Sequence, residues 1–139
     1  MLTSAQCLRK YGQPSNSNPN MIVWDVPGFL EIGFIPKKIY CNKDLVMPLS
    51  KAFQNLISTG HVKELKTWDG CFNIRKKRGG STVSLHSWGV AIDLNAYDNC
   101  FGCRPKLSQG FVKCFTDAGF DWGGTWRKPD GMHFQLKSI

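Results

Sequence analysis

The spacing of apolar positions predicts two amphipathic helices and several short strands. Leu49, Ala52, Phe53, Leu56 and Ile57 recur at i, i+3, i+4, i+7 and i+8 between a capping Asn42 or Asp44 and a closing Gly60. This is the pattern of the main core helix. Phe111, Val112, Cys114, Phe115 and Ala118 mark the apolar side of a second helix, capped by Ser108 and ended by Gly119. A shorter helix over 3–11, capped by Thr3 or Ser4, would bury Ala5, Leu8 and Tyr11 before Gly12 stops it.

Runs rich in apolar and β-branched residues predict strands over 21–26, 62–68, 90–95 and 132–136, and 71–75 continues or pairs with the second of these after the Asp69-Gly70 turn signal. Residues 28–40 are apolar but broken by Gly33 and Pro36, so short extended pieces are expected there. Residues 13–20, 76–80 and 95–106 read as loops, the second of them strongly basic. The fold class is α+β, one domain over 1–139 with a small antiparallel sheet and helices packed on its other face.

Composition narrows the picture little. At 139 residues with 42% apolar content, the chain has room for one core and no second domain. Its net charge of +8 favours an anionic partner or a well-solvated surface. No helix-turn-helix, RNA-binding strand motif or zinc-finger spacing points to nucleic acid. No apolar run reaches 18 residues and no apolar leader stands in the first ten, so a soluble cytoplasmic product with no membrane segment is expected. The six cysteines are then expected to be reduced. Cys100 and Cys103 form a C-x-x-C that could hold metal or close a redox loop, but ordinary buried or loop thiols are the preferred reading.

The chemistry lies in two segments, Ser84 to Asp93 and Asp130 to His133. Along the strand that ends at Asn95, Val90, Ile92 and Leu94 face the core, and Ala91 and Asp93 face the other way. His86 and Asp93 are an odd seven apart, so they converge only if His86 precedes the strand and Gly89 supplies a bend. Small Ala91 leaves room above the sheet. His133 projects from the last strand, whereas Asp130 sits in the turn before it. His86, Asp93 and His133 therefore make a three-donor set for one Zn2+ with a position open to water, and Asp130 is free to act as a base. Arg75 is the candidate for polarising a substrate carbonyl, with Arg78 as runner-up. Ser84 is expected to orient the histidine segment, Trp126 to wall the cleft, and Gly123 and Gly124 to let its loop pass close to the metal. Isolated His61 is expected to be a dipole partner at a helix end.

The segment S-L-H-S-W-G-V-A-I-D resembles the S-x-H-x-x-G-x-A-x-D signature of the zinc D-alanyl-D-alanine carboxypeptidase and L-alanyl-D-glutamate endopeptidase family, which includes many phage endolysins. F-D-W-G-G-T-W-R-K-P-D-G-M-H-F-Q-L is similar to that family's W-G-G-x-W…D-x-M-H-F-E-L ending. The resemblance runs over roughly 44–136 and leaves 1–40 unmatched. It implies zinc ligands at His86, Asp93 and His133, a general base at Asp130 and a substrate-polarising arginine at Arg75. Gln135 stands where many members have glutamate.

Aspartate in the base position, as in the phage endopeptidases, implies a stem-peptide endopeptidase acting on peptidoglycan. A monomeric endolysin is expected, made in the host cytoplasm and acting in the periplasm or cell wall after release. A D-alanyl-D-alanine carboxypeptidase is the alternative with the same metal chemistry. A zinc protein that binds wall peptide without cutting it is the alternative of another class.

Overall fold

Thr3 and Gln6 start the first helix. The Gln6 N–H donates to the Thr3 hydroxyl and the Thr3 N–H to the Gln6 side chain, a reciprocal cap on α1 (Ser4–Tyr11). A computed structural model describes this and every other residue from 1 to 139. The side chains that α1 buries are Cys7 and Tyr11, while Ala5 and Leu8 face solvent, which corrects the predicted apolar face. The cause lies outside the helix. The Tyr11 hydroxyl donates to Asp44 at 2.6 Å and the Trp88 indole N–H donates to the Gly12 carbonyl at 2.7 Å, and these contacts set its rotation.

Strand β1 (Met21–Asp25) pairs antiparallel with β2 (Lys38–Asn42), with Trp24 opposite Ile39. Between them the broken apolar stretch forms a 3-10 turn at Gly28–Leu30 and sends Leu30, Ile32 and Ile35 into the core. The side-chain oxygen of Asn42 accepts the Asp44 N–H and opens a 3-10 turn, Lys43–Leu45, that runs into α2 (Val46–Thr59). Leu49, Ala52, Phe53 and Leu56 are buried as their spacing predicts, and Gly60 ends the helix in the left-handed region with φ 79°. Ile57, placed on the same face by its spacing, is partly exposed.

The strand predicted over 62–68 does not form. Residues His61–Glu64 make a 3-10 turn, and β3 is only Trp68–Gly70. Side chains satisfy this backbone instead of a neighbouring strand: Asn95 accepts the Lys66 and Thr67 N–H groups and donates to the Glu64 carbonyl. Residues 71–75 likewise take partners from the histidine segment, with the Asn73 N–H on the His86 carbonyl and the Arg75 N–H on the Ser87 hydroxyl. His61 follows α2 as expected but bonds to Glu64 at 2.9 Å.

Strands β4 (Ala91–Leu94), β5 (Phe120–Trp122) and β6 (His133–Leu136) complete an antiparallel sheet of order β3-β4-β6-β5. The last strand in sequence is therefore inserted between two earlier ones. Helix α3 (Gln109–Thr116), capped by Ser108, packs on β5 and on α2. Phe115 and Phe134 bring their ring centres to 4.5 Å in the layer between helix and sheet. No helix is long and apolar enough to cross a membrane.

Cys7, Cys41, Cys71 and Cys114 are buried free thiols. Cys100 and Cys103, preferred as free thiols from the sequence, are joined as a disulfide. Gly102, at φ 82°, lets the short loop turn back, and the Cys103 N–H donates to the Cys100 carbonyl at 3.0 Å.

Candidate metal centre

His86 lies in a 3-10 turn, Leu85–Trp88, ahead of β4. Ser84 caps that turn by accepting the His86 N–H, so it acts on the orientation of the histidine segment through the backbone. Gly89 ends the turn at φ 68°, and a Cβ there would stand 2.7 Å from the Asn42 nitrogen and from the Met21 side chain. This bend cancels the odd spacing between His86 and Asp93. Across the sheet, Asp93 is opposite His133 and Ala91 is opposite Gln135, so all four share the site face.

The donor atoms converge. Asp93 Oδ1 lies 3.3 Å from His86 Nε2 and 3.4 Å from His133 Nδ1, and the two nitrogens are 3.2 Å apart. The other nitrogen of each ring is occupied. His86 Nδ1 meets the Cys71 carbonyl at 2.7 Å, and because a carbonyl only accepts, that nitrogen carries the hydrogen. His133 Nε2 donates to Gln135 Oε1 at 2.9 Å, while the Gln135 amide group donates to the Leu2 carbonyl at 3.4 Å. Nε2 of His86 and Nδ1 of His133 are thus left as lone pairs facing a carboxylate oxygen that accepts no hydrogen bond.

Three acceptors pointing at one another with no hydrogen between them repel unless a cation lies among them. The group fits a metal ion, and His86, Asp93 and His133 could hold one. Burial opposes ionisation of Asp93, but hydrogens donated by His133 and His86, or a cation in their place, outweigh it and hold its carboxyl far below the ordinary range.

Asp130 is also buried, and its Oδ1 has no partner. Burial pushes its carboxyl up, with Asp93 adding to the effect against His133, Arg78 and His86. Gly123 lets the preceding loop pass close by, since a Cβ there would sit 2.6 Å from the Asp130 carbonyl and 3.3 Å from His133 Cβ. Gly124 packs instead against Trp122. Trp126 stands 5.3 Å from the His133 ring and walls the cleft.

The two arginines are placed differently. Arg78 spans the site, with its guanidinium 3.7 Å from Asp93 Oδ2 and 3.6 Å from Asp130 Oδ2. Arg75 donates to the Lys76 carbonyl at 3.1 Å, farther back, and burial and then the charge of Arg78 lower its pKa. Both line two cavities. One, of about 350 Å³, holds Asp130, His133, Gln135, Phe101, Trp126 and Lys128. The other, of about 220 Å³, holds His86, Asp93 and Phe72. The two cavities thus share Arg75 and Arg78 and divide the donors between them, with His133 on the larger and His86 and Asp93 on the smaller.

Residues 78–136 match the family model described as D-alanyl-D-alanine carboxypeptidase. The matched stretch is less than half of the chain, yet it contains all three donors, Asp130 and Arg78, and stops short of Arg75. It supports a metallopeptidase that acts on peptidoglycan. Neither curated proteins nor solved structures gave a match.

Sequence reasoning missed how the N-terminal segment serves the site. Leu2 holds Gln135, the Ser4 hydroxyl donates to the Val83 carbonyl at 2.5 Å, and Leu2 also lines the larger cavity. Glutamine can do what glutamate does for His133, because only its oxygen faces the ring. Gln135→Leu is expected to lower metal affinity about 10- to 100-fold by releasing the His133 ring. Competition against a chelator of known affinity measures this, and an unchanged affinity would show that strand β6 alone orients the ring.

Proposed function

We propose that the protein is a zinc-dependent peptidoglycan stem-peptide hydrolase that cuts the L-alanyl to D-glutamate bond as a phage endolysin. The observation that carries the hydrolase reading is the convergence of two imidazole lone pairs and a carboxylate oxygen beside a second buried carboxylate whose Oδ1 has no partner. Two nitrogen donors and one oxygen donor, all on rigid elements, suit zinc with a position left open.

Zinc held there would supply Lewis acidity and a nucleophilic water near neutral pH. Asp130 takes a proton from the attacking water and delivers it to the leaving amine. Its raised pKa suits a carboxyl that must hold the proton between those two events. Two guanidinium groups are available for the carbonyl oxygen as charge develops on it. Arg78 is nearer the carboxylates, so we assign it that role, with Arg75 adding positive charge from behind.

Two cavities that each reach part of the donor set offer room for substrate on more than one side of the cut bond, which supports an endopeptidase. The +8 charge supports action at an anionic envelope, and on this reading a monomer acts in the periplasm or wall after release from the host cytoplasm. The second reading, a D-alanyl-D-alanine carboxypeptidase, is favoured by the description of the matching family.

Digestion of purified sacculi with the zinc-loaded protein and mass analysis of the products separates the two. The expected result is glycan that keeps L-alanine and released peptides that begin with D-glutamate. Free D-alanine with the stems otherwise intact would establish the carboxypeptidase. Absence of any product would remove the hydrolase reading.

A further inference from the structure

The larger cavity is lined by four cationic side chains, Arg75, Lys77, Arg78 and Lys128, and by one acid, Asp130. Arg78 is engaged by Asp93 and Asp130, whereas Arg75, Lys77 and Lys128 have no carboxylate within 4.0 Å. Such an excess is a binding potential for an anion.

Lys128 is the most firmly placed of the three. Its ammonium lies 4.6 Å from the centre of the Phe101 ring. Its stem runs so close to Gly102 that a Cβ there would meet Lys128 Cε at 3.3 Å. Phe101 is fixed in turn by a backbone bridge to Asp130, by the Gly102 N–H on the Pro129 carbonyl at 2.7 Å, and by Gly79 against its ring. Phe101 and Lys128 thus form a wall attached to the backbone of Asp130.

We propose that Lys128 is a specificity-determining residue that captures a carboxylate on the substrate residue whose amine leaves. The assignment rests on the hydrolase reading, in which Asp130 delivers the proton to the leaving nitrogen. The group attached to that nitrogen then lies on the side of Asp130, where Phe101 and Lys128 stand. An ammonium on an aromatic face, in a cavity that Lys77 also lines, accepts a carboxylate and discriminates against the neutral carboxamide of the same shape.

The test uses two uncleavable stem-peptide analogues with the scissile amide reduced. They differ only in a free carboxylate or a carboxamide on the residue after that bond. Calorimetry on the zinc-loaded protein should give about tenfold tighter binding of the acid. Lys128→Gln should bring the two affinities within about twofold of each other. Lys37→Gln, which removes the same charge from a surface site outside the cleft, should keep the tenfold ratio.

Equal affinities in the unchanged protein, or a ratio that survives Lys128→Gln, would overturn the proposal. A ratio that survives Lys128→Gln and disappears in Lys77→Gln would move the subsite to the 76–80 loop and overturn it as well. Because binding is read without turnover, failure of the subsite is distinct from failure of the hydrolase reading, which shows as intact sacculi.

Discussion

Alanine in place of His133 is expected to strip the protein of both its metal and its activity. The ring supplies one of three donor atoms, and its Nδ1 is 3.2 Å from His86 Nε2 and 3.4 Å from Asp93 Oδ1. Losing it leaves one imidazole and one carboxylate, too few for tight zinc binding. The cost should exceed the roughly 10- to 100-fold loss in affinity that follows removal of an outer partner. Elemental analysis should find one zinc per chain before the change and almost none after it, with muralytic activity at background. His86→Ala should behave alike. Circular dichroism would show whether the sheet persists, since the backbone pairing of β4 with β6 does not need the ring. Stoichiometric zinc in both variants would show that the metal is held outside this donor set.

Asp130→Asn should separate chemistry from metal binding. Asparagine keeps the shape of the side chain and removes its ability to take a proton, so kcat should fall by about 10²- to 10⁴-fold. Zinc content should stay at one per chain, because Asp130 is not among the converging donors. The result that would sink the proposed role is full activity in the variant. A fall confined to KM would instead make Asp130 a substrate-binding group, partnered with Arg78 at 3.6 Å. Folding is a lesser concern here than at His133. The Asp130 backbone is already bonded to the Gly123 carbonyl and bridged to Phe101, and its Oδ1 has no partner to lose.

Much of the site was legible in the sequence because strand parity is a local property. His86 had to precede its strand, and Gly89 was the residue able to make the bend; the φ of 68° and the backbone of Asn42 pressed against it give the physical reason. The two longer helices were legible for a similar reason, since their apolar spacing and caps are local too.

What escaped was whatever depended on distant partners. Residues 62–68 have the composition of a strand, but Asn95, about thirty positions away, satisfies their backbone. Strand β5, three residues long, has too few positions to show a period, and α1 is turned by Asp44 and Trp88 rather than by its own apolar residues. The place of Gln135 between His133 and Leu2 joins the two ends of the chain, and no pattern within either end announces it.

The position of β6 also bears on the order of assembly. It is last in the chain and lies between β4 and β5, so those two have no common partner until it inserts. Pairing His133 with Asp93 closes a loop of 40 residues, a non-local step of the kind that slows folding. A chain folded only as far as Asp93 holds two of the three donors and no base. The donor set is therefore completed only when β6 inserts, so on the proposed function a chain that lacks this strand would have neither a full metal site nor activity.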